Sequence, residues 1–163
     1  MAFNVDFNVC SEKQYWLKAM DRIIRILDVN VNRGREGLRV VEDVARLILN
    51  DADLAAQIKN MRHKITELAQ QLTTGESDLL NARDSEGDVG VNLDCPAENI
   101  RTDLSQVVAA NIHRSQEAMR VLEEFSKLYN SSIAAQFKTL RFRLYGLEKV
   151  IMPKLSEYQN STE

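Results

Sequence analysis

Two stretches of this chain carry the same residues in the same order, and that repeat limits the possible folds more than any other feature. Arg35-Glu-Gly-Leu-Arg-Val-Val-Glu-Asp-Val-Ala-Arg-Leu47 aligns with Gln116-Glu-Ala-Met-Arg-Val-Leu-Glu-Glu-Phe-Ser-Lys-Leu128 at a constant offset of 81 residues. Carried backwards without a gap, the offset pairs Asn30 with Asn111 and Arg33 with Arg114. Each copy therefore holds an Asn-x-x-Arg-x-x-Glu-x-x-Arg line: Asn30, Arg33, Glu36, Arg39 in one and Asn111, Arg114, Glu117, Arg120 in the other. Further on, Met61–Ile65 matches Leu140–Leu144 at an offset of 79, which predicts a second turn shorter by two residues. Amphipathic helices match in their apolar positions by chance; Asn, Arg, Glu and Arg in register are much harder to match that way. The expectation is an all-α fold of four long helices, two duplicated antiparallel hairpins in a pseudo-two-fold bundle.

The spacing of apolar residues agrees. From Tyr15 to Leu49 they recur at three and four, the helical period. With 163 residues, 6 glycines and 2 prolines, the chain reads as one helical domain over 1–163: repeat one over about 12–73, a loop over 75–101, repeat two over about 102–158. Ser11 and Gln14 resemble a capping box after a loose lead-in. Gly34 and Gly37 weaken the first helix by about 1 kcal/mol each relative to alanine, which predicts a kink or two helices in series. A second helix spans Ala52–Leu72, with N-cap candidates at Asn50, Asp51 and Asp53 and a stop at Thr73–Gly75. The loop holds Gly75, Gly87, Gly90 and Pro96, with one short helix at Asp78–Ala82. Helices follow over Thr102–Tyr129 and Ile133–Tyr158, separated by Asn130-Ser-Ser132, and the polar tail 159–163 is expected to fray.

Charge excludes some functions. The 21 basic and 24 acidic residues leave a net charge of −3, whereas nucleic-acid and membrane-surface binding usually need a basic excess. No apolar run approaches the ~18 residues of a membrane span. Cys10 and Cys95 cannot form a Cys-x-x-Cys site, and without a secretory signal they read as reduced thiols in the cytoplasm. Neither His63 nor His113 follows a glutamate by three residues, so a Glu-x-x-His di-metal bundle site is not expected. His113 aligns with Asn32 of the other repeat and reads as a packed polar residue.

A helical wheel gives the polar line a direction. With Glu36 at zero and about 100° per residue, apolar residues fill an arc from about 20° to 140° and extend past 200°. Arg33 at about 60° and Asn30 at about 120° fall inside that arc, and Arg114 and Asn111 do the same in repeat two. Each half is thus expected to point one arginine and one asparagine inward, with Glu36 or Glu117 at the edge. Arg35, Arg39, Glu42 and Asp43 take the outer face. A buried guanidinium requires a partner. One arrangement is an internal network of Arg33 with Glu117 and Arg114 with Glu36. The other is an anion-binding cleft lined by Arg33, Arg114, Arg39 and Arg120, whose planar forks suit a di- or triphosphate. In the loop Ala82–Gly90, Gly87 and Gly90 permit positive φ, so backbone N–H groups could converge on an anion. Asp84, Glu86 and Asp88 are oxygen ligands of the kind Mg²⁺ shares with phosphates; the plainer reading is an acidic surface turn. Neither Gly-x4-Gly-Lys-Ser/Thr nor Gly-x-Gly-x-x-Gly is present.

Arg25–Asp43, Ala82–Gly90 and Asn111–Glu124 together resemble one family: the helical domain found N-terminal to thiamine-phosphate synthase in some bacteria, which also occurs as a stand-alone protein. The resemblance covers about residues 20–150 and departs mildly at Ser85, where threonine is expected, and Val29, where alanine is expected. It implies phosphorylation of hydroxymethylpyrimidine phosphate to the diphosphate, with ATP as co-substrate and Mg²⁺. The chain ends where a synthase barrel would begin, so synthase activity itself is not expected of it. Under this reading Arg39, Arg120, Glu36 and Glu117 stand at the reacting groups. Asn30, Arg33, Asn111, Arg114, Arg83, Gly87 and Gly90 hold the phosphorylated pyrimidine and nucleotide, and Asp84 and Asp88 hold the metal. Two alternatives stay open: a non-catalytic domain that docks on thiamine-phosphate synthase, and another nucleotide-using bundle such as an ATP:corrinoid adenosyltransferase. Homo-oligomerisation is also left open.

Overall fold

The computed structural model describes the backbone of residues 6–72, 76–90 and 100–162, with side chains over 20–72, 78–90 and 100–161. Among these there are five helices and no strand: α1 (Asp6–Leu47), α2 (Ala52–Gln70), α3 (Glu76–Ala82), α4 (Leu104–Ser126) and α5 (Ser131–Thr162). α1 and α2 form one hairpin, α4 and α5 the other, and α1 packs along α4 to join them. α2 also touches α5, and the short α3 lies against α1. The core runs through all four long helices, with Leu38, Ile58, Ile112, Met119, Phe137 and Ile151 fully buried. No helix among the described residues is long and apolar enough to cross a membrane.

The predicted hairpins are present, and their turns correct one detail. Residues 48–51 join α1 to α2, and residues 127–130 join α4 to α5. The connections are equally long, so the two-residue change of offset is taken from the helix: α4 stops at Ser126, the counterpart of Ala45, whereas α1 continues to Leu47. Asp51 caps α2 by accepting from the Leu54 amide at 2.9 Å. Its counterpart Asn130 caps α5 by accepting from the Ser132 and Ile133 amides at 2.9 and 3.3 Å. Side-chain caps of this kind satisfy otherwise orphaned helix N–H groups.

α1 departs from expectation at both its start and its middle. It begins at Asp6, so Ser11 and Gln14 lie inside the helix and do not cap it. It also passes unbroken through Gly34 and Gly37, because these glycines are where α4 comes closest. A Cβ at Gly34 would lie 2.7 Å from Met119 Cε, and one at Gly37 would lie 2.5 Å from the Asn111 carbonyl oxygen. The Ser115 hydroxyl donates to the Asn111 carbonyl at 2.9 Å and approaches the Gly34 carbonyl at 3.2 Å. The repeat pairs Gly34 with Ser115 and Gly37 with Ala118, so both helices present small residues at the crossing. Close packing there offsets the helix penalty of glycine. At the other end, α5 continues past Tyr158 to Thr162, and Gln159 accepts from Ser105 of α4 at 2.9 Å, so residues 159–162 are helical where fraying was expected. The helix stop at 73–75 and the loop segment with Cys95 and Pro96 lie outside the described residues, as does the side chain of Cys10.

Burial rotates the expected inner face. The most buried residues of α1, among them Leu27, Leu38, Val41 and Ala45, centre near about 180° on the same wheel. Val40 and Leu47, near about 20° to 40°, are 37% and 63% exposed, and Leu128, the counterpart of Leu47, is 64% exposed. On the opposite edge Asp28 and Glu42 are buried. The apolar arc is therefore broader than the buried one, and its near edge borders the opening between α1 and α4.

Candidate functional site

That rotation brings Arg33 and Arg114 out of the interior. Both are exposed, and with Glu36 and Glu117 they line an open groove of about 700 Å³ beside the α1–α4 crossing. Asn30, Arg101, His113 and Ala118 complete its main walls. Among the described residues neither Arg33 nor Arg114 makes an ion pair or hydrogen bond, and Glu36 and Glu117 make no ion pair. The expected inner network of Arg33 with Glu117 and Arg114 with Glu36 is thus not formed. Two guanidinium groups, one from each repeat, instead face the same solvent-filled space.

The buried ionic network lies on the other side of these helices. Glu42 and Glu123 are buried, and each is met from the second helix of its own hairpin. Arg62 Nε lies 3.0 Å from Glu42 Oε2, and Arg141 Nη2 lies 2.7 Å from Glu123 Oε2. Arg39 adds contacts to Glu42 at 3.4 Å and Asp43 at 3.3 Å, while Arg120 reaches Glu123 at 2.9 Å and Glu124 at 2.8 Å. The network fastens α1 to α2 and α4 to α5, and burying each carboxylate requires such partners. Arg39 and Arg120 are therefore not among the groove residues, because they project near about 300° on the wheel, away from Arg33 and Arg114. Sequence reasoning placed Glu42 outside and overlooked Arg62 and Arg141. The signal was available, since Arg62 and Arg141 match in the second half of the repeat.

The asparagines behave alike in one respect and differ in another. Asn30 Nδ2 donates to the Ile26 carbonyl at 2.9 Å, and Asn111 Nδ2 to the Val107 carbonyl at 2.8 Å. Each side chain thus closes a bond within its own helix. Asn30 is buried at the groove wall, whereas Asn111 is not among the groove residues and turns its backbone carbonyl toward Gly37.

The loop after α3 joins the site from one end. Arg83 clamps buried Asp28 through Nε at 2.8 Å and Nη2 at 2.7 Å. Hydrogen bonding and charge from Asp28, with a smaller charge effect from Glu36, hold the Arg83 proton more firmly than usual. Arg25 binds Asp84 twice, at 3.1 Å through the carboxylate and 2.8 Å through the carbonyl. A second hollow of about 420 Å³, lined by Asn32, Arg83, Ser85 and Asp88, shares Arg33 and Glu36 with the main groove. The glycines do not form the expected anion cradle. No glycine among the described residues has positive φ. The Gly87 amide donates to Asp84 Oδ1 and the Gly90 amide to Asp88 Oδ1, both at 2.9 Å. Both amides thus close turns of their own loop. Asp84 has both carboxylate oxygens engaged, whereas Asp88 keeps Oδ2. No group of three or more His, Cys, Asp or Glu among the described residues could hold a metal ion.

His113 is not the packed residue expected from its alignment. Its side chain is 56% exposed at the groove, with Nε2 2.8 Å from Glu148 Oε1. Gln116 Nε2 donates to the other Glu148 oxygen at 2.7 Å. Burial works against ionisation of Glu148, but these two hydrogen bonds and the charge of His113 together hold its carboxyl below the usual range. Glu148 lies on α5, outside the repeat motif, and periodicity alone gave no signal for it.

The three polar segments that build this groove and its loop fall within one stretch, residues 25–150, matched by the model of the ThiD2 family. The chain belongs to that family. Thiamine-phosphate synthase of Nostoc punctiforme is 45% identical to it over 130 residues, covering 80% of this chain and 35% of the relative. Thiamine-phosphate synthase of Synechocystis sp. is 42% identical over 130 residues, with 80% and 36% covered. That of Rhodopirellula baltica is 38% identical over 134 residues, with 82% and 35% covered. The ThiD2 chain thus spans about a third of the length of these curated relatives. No solved structure matches it.

Proposed function

We propose that this ThiD2 chain phosphorylates hydroxymethylpyrimidine phosphate to the diphosphate with Mg·ATP. The observation that carries the proposal is the groove itself: Arg33 and Arg114, drawn from the two repeats, line one opening without an ion-pair partner among the described residues. The thiamine-phosphate synthase names of the relatives support a phosphorylated pyrimidine as the ligand.

The chemistry suits such a site. An oxygen of the acceptor phosphate attacks the γ-phosphorus, a new P–O bond forms, and the bridging P–O bond to the departing nucleoside diphosphate breaks. A phosphate monoester has a second pKa near about 6, so near neutral pH its attacking oxygen is mostly already unprotonated. No general base is required, and catalysis reduces to bringing two anions together and neutralising the charge they share. Arg33 and Arg114 supply that neutralisation from opposite sides. Arg83 lines the adjoining hollow with Nη1 outside its clamp on Asp28, and the Asn30 side-chain oxygen can accept from the pyrimidine edge. Mg²⁺ usually takes one or two carboxylates together with substrate phosphates; Asp88, with a free oxygen in the adjoining hollow, fits that role better than Asp84. Bound there, the ion would neutralise the nucleotide phosphates.

The test is ATP-dependent formation of the diphosphate, followed by ³¹P NMR, in the wild type and in R33A and R114A. Each variant is expected to keep its fold, because exposed substitutions change stability by less than about 0.5 kcal/mol, and to lose at least about a hundredfold in kcat/KM. Full activity in R114A would overturn the assignment. A non-catalytic reading is favoured by one observation, that relatives about three times as long share this segment. Binding of the pyrimidine phosphate without turnover under any divalent metal would support it.

A further inference from the structure

We propose that His113, held by Glu148 and Gln116, is a ligand-contacting residue that gives the groove a proton-dependent hydrogen bond to the bound phosphate. The proposal rests on the reading of the groove as a phosphate site. Glu148 is ionised and accepts at 2.8 Å, so Nε2 carries a proton in either charge state of the ring. That fixes the tautomer: neutral His113 has a bare lone pair on Nδ1, whereas the imidazolium has an Nδ1–H donor. Nδ1 makes no hydrogen bond among the described residues, and the ring lies in the same groove as Arg33 and Arg114. A lone pair repels a phosphate oxygen; an N–H⁺ gives it a charge-assisted bond.

Charged groups of both signs face the His113 ring. Glu148 on α5 is in direct contact, and Glu36 of α1 and Glu117 of α4 share the groove; all three favour the protonated ring. Arg33, Arg114 and Arg101 oppose it, and a bound phosphate, neutralising those arginines, removes much of their opposition. Binding should therefore take up a proton and tighten as pH falls. The arrangement belongs to one repeat only. Asn32, the counterpart of His113, donates to Asp28 at 3.3 Å, and Ala69 stands where Glu148 would be matched.

The experiment is calorimetric titration of the full chain with hydroxymethylpyrimidine phosphate, and separately with inorganic diphosphate, near pH 6 and near pH 8. Wild type, H113Q, E148Q and R114A are compared. Comparison at each pH cancels titration of the ligand itself. H113Q is expected to bind about tenfold more weakly than wild type near pH 6, and within about threefold of it near pH 8. Proton uptake on binding, measured in buffers of different ionisation heat, is expected to be greater in wild type than in H113Q at the same pH. E148Q should lie between the two. Equal affinity and equal proton uptake in wild type and H113Q, with binding lost in R114A, would overturn the role of His113 and leave the phosphate groove standing. Absence of binding by either probe would overturn both. Binding of inorganic diphosphate alone, with the His113 dependence intact, would uphold this proposal and sink the pyrimidine reading.

Discussion

The two repeats agree where they are packed and differ in what flanks the groove. Each buries a glutamate against an arginine of its second helix, Glu42 with Arg62 and Glu123 with Arg141. Each bonds an asparagine back onto its own helix. Flanking the groove, repeat one offers Asn32, Asp28 and the Arg83 loop, whereas repeat two offers His113 with Glu148 and Gln116. Interior positions are constrained by a common packing problem, and copies of one solution persist. The Arg–Glu pair that each repeat sends to the groove is also shared; the divergence is confined to the residues that flank it.

The sharpest way to break the shared half of this comparison is to remove a buried partner. Arg62→Ala and Arg141→Ala are each expected to cost about 1.5–3 kcal/mol in urea unfolding, because buried Glu42 or Glu123 loses its partner on the second helix and keeps only Arg39 or Arg120 of its own. Arg141 should be the costlier, since it also stacks 5.3 Å from the Phe142 ring and 5.8 Å from the Tyr145 ring. A loss under about 1 kcal/mol at either site would end the claim that the networks are equivalent. The crossing gives a second comparison. Gly37→Ala pushes a methyl group into the Asn111 carbonyl and is expected to cost about 1–3 kcal/mol. Ala118→Gly, at the paired position, should cost about 1 kcal/mol through helix propensity. Asp28→Asn addresses the unlike half: Arg83 loses its ionic clamp, with an expected loss of about 1–3 kcal/mol. Repeat two has only Ala109 at the matching position.

The smallest effect concerns the caps. The hydrogen bond from Lys154, at 2.6 Å, and the Leu54 amide hold the Asp51 carboxyl below its ordinary range. A depressed folded value means that this stabilisation is present above the unfolded pKa of about 3.9 and is lost as pH falls through the folded one. The matching cap, Asn130, does not titrate in this range. Acidification below about pH 4 should therefore speed hydrogen exchange at the Leu54 amide before that of Ile133. Equal acceleration at both would show that the two turns share one acid response.

Much of the fold was legible because the repeat and the helical period are both long-range regularities. The hairpins follow from them, whereas the short helix inside the loop and the Asp51 cap follow from local residue types. The site was read only in part. Arg33, Glu36, Arg114 and Glu117 do meet in one place, but as walls of an open groove and not as an inner network. The wheel measured where apolar residues cluster, and α1 leaves Val40 and Leu47 at the edge of that cluster uncovered. Glu42 was misplaced for the converse reason, since a carboxylate with two arginines nearby can be buried. The role of Gly87 and Gly90 was misjudged because sequence cannot tell that Asp84 and Asp88 will take their amides. His113 was undervalued because its partner lies on another helix, 35 residues on.

The close crossing of α1 and α4 at Gly34 and Ser115 places the groove beside the molecule's own pseudo-two-fold axis. A perfectly symmetric cradle offers any unsymmetrical ligand two poses of equal energy, and for two different reactants only one pose puts donor against acceptor. The other would be a stable, unreactive complex that occupies half the protein. Lifting that degeneracy by about 1.4 kcal/mol already makes the productive pose tenfold more populated. One hydrogen bond or one ion on a single side is enough. On the proposed reading, the departures from symmetry around Asp28 and His113 would act as a handedness for the site, setting which way round a reactant lies.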